Sequence, residues 1–135
     1  MSNANLELQK AFFAAFRADA PLVSMLGGEK FYDHVPPAAV FPYITFGRTM
    51  VYDWSTDSDR GCEHLSTIHV WSRAGGKSQA LSIMGEVERV IQDAVLTLDG
   101  HRLVNIRLEY TEALNDDDRD GYHGLLRYRS VTEPA

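Results

Sequence analysis

The chain has 135 residues, 44% hydrophobic and 24% charged, with a formal net charge of −6. That is long enough for one core without disulfide or metal staples, so residues 1–135 are expected to form a single domain. The acidic balance argues against a nucleic-acid surface, which would show a basic stripe, and no apolar run reaches the roughly 18 residues that a membrane-spanning helix needs.

The first predicted helix covers Asn5 to Arg17, where Leu8, Phe12, Ala15 and Phe16 recur at helical spacing. Asp19-Ala20-Pro21 ends it, because the residue before a proline resists α geometry. A short turn from Leu22 to Leu26 closes at Gly27-Gly28. Phe31 to His34 and the stiff Val35-Pro36-Pro37 link lead to Pro42, which opens a strand from Tyr43 to Thr49. Tyr52 to Glu63 is polar and aperiodic and reads as a long loop or a protruding hairpin tip. Leu65 to Ser72 is a strand, with Ile68 and Val70 on one face and Thr67, His69 and Trp71 on the other.

A second long helix is expected from Lys77 to Val95, on the stripe Ala80, Met84, Val87, Ile91 and Val95 with Leu81 beside it. After the Asp99-Gly100 turn signal, Arg102 to Glu112 alternates: Val104, Ile106, Leu108 and Tyr110 against Asn105, Arg107 and Glu109. Asn115 to Gly121 is a polar connection. The last strand, Tyr122 to Thr132, sets Leu126 and Tyr128 against Arg127 and Arg129. This order predicts an α+β fold: a mixed or antiparallel sheet with two main helices packed on one face.

Several stretches carry the outline of a chemical site. His69 to Leu81, HVWSRAGGKSQAL, has the strand, glycine turn, Lys-Ser and helix of a phosphate-binding loop. The full motif needs a glycine five residues before Gly76, where the backbone curls round the phosphate. Trp71 stands there, so Gly75, Gly76, Lys77 and Ser78 read as a strand-to-helix turn. Asp116 to Gly121 opens like a calcium loop, but its twelfth position, where a bidentate Glu belongs, is Arg127. Cys62 and His64 share one side of an extended segment and would need an orienting group to act as nucleophile and base. His64 and His69 fall on opposite strand faces, and His34, His101 and His123 have no metal-ligand spacing. The single cysteine, Cys62, leaves no internal disulfide and fits a reducing compartment. No basic segment followed by an apolar block opens the chain, so no signal peptide is expected.

Charge is distributed unevenly. Between Tyr52 and Glu63, Asp53, Asp57, Asp59 and Glu63 stand against Arg60; between Asn115 and Gly121, four aspartates stand against Arg119. The body between them is balanced. Two acidic loops on a balanced body suit self-assembly with a defined polarity. Within the first loop, Tyr52, Asp53, Trp54, Asp57, Asp59 and Arg60 are the candidate assembly contact, since aromatics with satellite charges anchor interfaces.

Three blocks together resemble a known family: LQKAFFAAFRADAPLVSMLGG with FYDHVPPAAVFPYITFG; then DWST with HVWSRAGGKSQAL; then LDGHRLVNIRLEYTEALNDDDRDGYHGLLRYRSVTE. Their order and spacing are similar to the tail-completion or tail-terminator proteins of long-tailed phages and phage-derived gene transfer agents. The resemblance implies a tail-terminator-like fold and a non-enzymatic part of a phage-like particle. It implies a homo-oligomeric ring, typically a hexamer, that ends the tail tube and joins it to the head. The major tail tube protein and the head-tail connector would be its partners, with DNA passing through the lumen without specific binding. It implies no cofactor and no catalytic residue. Two other readings stand beside it: a small hydrolase or ligand-binding domain using Cys62 and His64, and a calcium-binding module built on Asp116 to Asp120.

Overall fold

A computed structural model of the chain describes residues 3–73, 76–116 and 121–135. The element order is α1 (Ala4–Arg17), α2 (Ala20–Leu26), β1 (Phe31–Tyr32), β2 (Tyr43–Asp53), β3 (Cys62–Ser72), α3 (Ser78–Asp93), β4 (His101–Asp116) and β5 (Gly121–Pro134). The strands form a five-stranded sheet in the order β1-β2-β3-β5-β4. β1 runs parallel to β2 and every other pairing is antiparallel, so the sheet is mixed.

Asn3 caps α1, its side chain accepting from the amides of Asn5 and Leu6. The segment expected to be a mere turn is the helix α2. Asp19 is its N-cap, accepting from the Leu22 amide, with proline in the first turn where no amide partner is required. Gly27 ends it at φ 80°, left-handed backbone that glycine adopts freely.

Among the described residues, α1, α2 and α3 bury their apolar sides in one core against one face of the sheet. Phe16 is fully buried there between Phe31 and Phe46, with ring centroids 5.6 Å and 6.1 Å away. Phe12 bridges from Phe16 to Tyr128 of β5. α3 adds Ala80, Ile83, Met84, Val87, Val90 and Ile91. The expected α3 stripe holds through Ile91, but the helix stops at Asp93. Val95 lies past the end and is 92% exposed, Leu81 points outward, and Ile83 takes the buried place instead.

Two strands depart from simple alternation. In β2 the pairing with β3 shifts at a bulge between Phe46 and Thr49 and then continues to Asp53. The expected loop start, Tyr52, is therefore strand. In β4, shifts between Leu103 and Asn105 and between Leu108 and Tyr110 change which residues face inward. Ile106 and Leu108 pack against the core, while Val104 and Tyr110, expected beside them, are 52% and 45% exposed. An extra residue in a strand with a two-residue period turns everything after it to the other face.

Candidate functional site

β2 and β3 form a hairpin whose distal part leaves the helix-covered core. Every residue from Val51 to Arg60 is exposed. The tip is held by its own backbone and short side chains. The Trp54 amide donates to the Gly61 carbonyl at 2.8 Å and the Thr56 amide to the Asp59 carbonyl at 2.7 Å. The Asp59 amide donates back to the Thr56 hydroxyl at 3.0 Å. Asp53 accepts from the Ser55 hydroxyl and amide, and these bonds, with Arg60 nearby, hold its carboxyl below the usual carboxylate range. The hairpin tip is thus an ordered turn, built from the Asx and hydroxyl bonding that Asp, Ser and Thr supply.

The candidate contact residues are gathered on this tip. Trp54 is 55% exposed, and one of its faces meets the Arg129 guanidinium of β5 at 5.3 Å from the ring centroid. Arg129 in turn donates to Glu63 at 2.5 Å. Trp54, Arg129 and Glu63 therefore form a strut from the tip to the outer sheet face, the face without helices. Tyr52 lies half exposed, its hydroxyl directed at the Met50 sulfur at 3.8 Å. Asp57 and Asp59 form no ion pair among the described residues, and Glu63, also counted with the loop's charge, belongs to the strut instead.

The other sequence candidates lie elsewhere and do different work. His64 is completely buried. Its Nδ1 meets Asn5 Oδ1 at 3.3 Å and its Nε2 meets Thr132 Oγ1 at 2.8 Å. An amide oxygen only accepts, so Nδ1 carries the proton and the Thr132 hydroxyl donates to Nε2. Asn5 has its amide nitrogen on Thr49 Oγ1, consistent with that orientation. Burial, with the charge of His101 as a smaller cause, pushes the His64 pKa below the usual histidine value. Both ring nitrogens are committed to structural partners, so His64 is not available as a base for the Cys62 thiol. Cys62 itself lines a cleft of ≈ 460 Å³ with Val51, Asp53, His101 and Thr132, and His64 does not reach that cleft.

Trp71, the residue in the way of a phosphate loop, is a strand residue whose indole NH donates to Thr45 Oγ1 at 3.0 Å. Gly76 has φ 88° and Lys77 precedes the helix without a side-chain cap. Ala74 and Gly75 lie outside the described residues. So do Asp117 to Asp120 of the calcium-like run, whose ends Asp116 and Gly121 are register partners in the β4–β5 hairpin. Among the described residues no three His, Cys, Asp or Glu side chains are grouped to hold a metal. The sheet does bring together two histidines that spacing in the sequence kept apart. His69 Nδ1 lies 2.6 Å from His123 Nε2. Only pairing of β3 with β5 could have revealed this, since 54 positions separate them.

Comparison with known proteins bears on the molecule as a whole. A chain of a solved "virion of native gene transfer agent (GTA) particle" shares 28% identity over 98% of this chain and 99% of that one, with a TM-score of 0.88. The gp17 protein of bacteriophage SPP1 shares the fold, at 21% identity over 94% of this chain and 89% of that one, with a TM-score of 0.64. No curated protein matches by sequence. The family described as tail completion protein gp17 matches residues 10–133. The α+β sandwich of helices on a mixed sheet and this near full-length match agree: the chain belongs to the tail completion protein gp17 family and has a structural, tail-terminating role in a phage-like particle.

Proposed function

We propose that this single domain, residues 1–135, assembles as a homo-oligomeric ring, a hexamer, at the head-proximal end of the tail tube. Its neighbours there are the major tail tube protein and the head-tail connector, and DNA crosses the lumen without specific binding. The hairpin tip, with Tyr52, Asp53, Trp54, Asp57, Asp59 and Arg60, is the assembly contact. The observation that carries this reading is the tip itself: a wholly exposed hairpin end bearing Val51 and Tyr52 on β2 and Trp54 just past it, beyond the core. Clustered exposed apolar side chains rimmed by charge mark interaction sites.

The chain performs no catalysis in this role. The buried, doubly bonded His64 supports that view of the Cys62 and His64 pair. Electron microscopy of particles produced without the protein tests the reading. Tails of uncontrolled length, or tails and filled heads left unjoined, are expected; normal joined particles would overturn it.

A further inference from the structure

The sheet has two open edges, and they are unlike. At one, β1 covers β2 only at Ile44 and Thr45, so β2 from the bulge to Asp53 presents an uncovered edge. At the other, β4 is an edge strand, bridged by Leu98 at its first residue, His101, and paired with no further strand among the described residues from Arg102 onward. Uncovered edges are templates for another strand. Through the register, the free part of β2 sits level with the first half of β4: Asp53 pairs with Cys62, Cys62 with Thr132, and Thr132 with Leu103.

Charge distinguishes the two edges. The first half of β4 carries Arg102 and Arg107 and no acid, while its second half carries Glu109, Glu112 and Asp116. Arg102 is satisfied by Glu133. Arg107 has no ion-pair partner among the described residues, and it stands in register opposite a second arginine, Arg129, whose charge Glu63 already takes. Like charges set directly across strands are unfavourable. The β2 edge ends in the tip, where Asp53, Asp57 and Asp59 outweigh Arg60. Exposed apolar side chains accompany both: Val51 and Tyr52 on β2, Val104 on β4.

We propose that the β2 edge and acidic tip of one copy dock on the Arg102 to Arg107 segment of β4 in the next copy, head to tail. This rests on the ring proposed above and names the surface that receives the hairpin. β2 and β4 run in opposite directions within one sheet, so copies arranged about a common axis bring them together as antiparallel neighbours. An interface between two different patches is heterologous and closes into a ring when the rotation allows.

The test uses the full chain and two charge-reversal variants, Arg107→Glu and the double variant Asp57→Lys with Asp59→Lys. Sedimentation velocity reads the mass, and circular dichroism and melting show that each variant is folded. Wild type is expected to form a multimer, more weakly at high salt because exposed charges are screened. Each variant alone is expected to lose association by roughly tenfold or more. Mixed one to one, one pair of surfaces is native and the other has both charges reversed and is attractive again, so association returns in multimers that alternate the two variants. Variants that assemble like wild type, or a mixture that stays monomeric, would overturn the docking mode while leaving the ring standing. A wild-type chain that stays monomeric at every concentration would instead overturn the ring, and the docking with it. Arg107→Ala, which removes the charge without reversing it, should weaken association less than Arg107→Glu; an equal or greater loss would also count against the pairing.

Discussion

The indole of Trp71 lies flat against the imidazole of His123, ring centroids 4.0 Å apart and planes within 3°. One face of Trp71 is thereby fixed by β5, and its NH is fixed by Thr45 of β2. A phosphate loop needs flexible glycine backbone at this position, and the strand supplies a residue anchored on both sides. Nucleotide is therefore expected not to bind. ATP or GTP with magnesium should leave the melting temperature unchanged, whereas a ligand at one hundred times its Kd would add about 2.7 kcal/mol. A shift that disappears in Lys77→Ala would show that the Gly-Lys-Ser turn is a nucleotide site.

How far the sequence reached depended on the kind of signal. Helix α1 and the inward faces of β3 and β5 were legible because hydrophobic periodicity acts locally. The β4 face was legible only in part. Two bulges reset its alternation, and a bulge depends on the partner strand's register, which one strand's pattern does not encode. Helix α2 was missed because Asp19 and Pro21, which end one helix, also begin another. The hairpin tip stood out as a polar stretch with two misplaced aromatics. Its strut through Arg129 and Glu63 depends on tertiary pairing and left no local trace.

Burial of His64 should make stability depend on pH in a defined window. Its folded pKa is depressed, so the stabilisation is complete above the unfolded value of about 6.5. As pH falls below that, the unfolded chain takes up a proton that the folded chain refuses, and stability declines until the folded pKa is reached. One such group contributes at most about 1.4 kcal/mol per pH unit. Denaturant melts at pH 7.5 and 5.5 should show the loss in wild type and a flatter dependence in His64→Gln. Equal slopes would mean that His64 titrates normally in the fold.

Asp19 combines two duties, capping α2 and accepting from Arg89 of α3 at 2.7 Å. The Arg89 hydrogen bond is the main cause of its lowered pKa, with burial opposing and the Leu22 amide assisting. Its contribution is present above the unfolded value of about 3.9 and fades as pH falls below it. Asp19→Ala should cost about 1–2 kcal/mol at pH 7, most of it the cap. Asp19→Asn, which still caps, should cost clearly less. Equal losses in chemical denaturation would assign the effect to the Arg89 ion pair instead.

Trp54 decides whether the hairpin tip is a contact or merely folds back on its own domain. Among the described residues the indole of Trp54 has one partner, the Arg129 guanidinium, and more than half of the residue is exposed. A cation–π contact at so open a site contributes roughly 0.5–1 kcal/mol. A loss of that size lowers the melting temperature of a domain this long by only about 2–5 °C. A residue buried as a core aromatic would instead cost about 3–5 kcal/mol on truncation. Trp54→Ala should therefore melt within a few degrees of wild type as a monomer. Association should suffer far more, because an aromatic at the centre of an interface typically carries 2 kcal/mol or more of its binding energy, about a thirtyfold change in Kd. Monomer melting and sedimentation equilibrium on the same preparation separate the two roles. A drop of ten degrees or more in the monomer, or unchanged association, would return Trp54 to its own domain and remove the tip as the assembly contact.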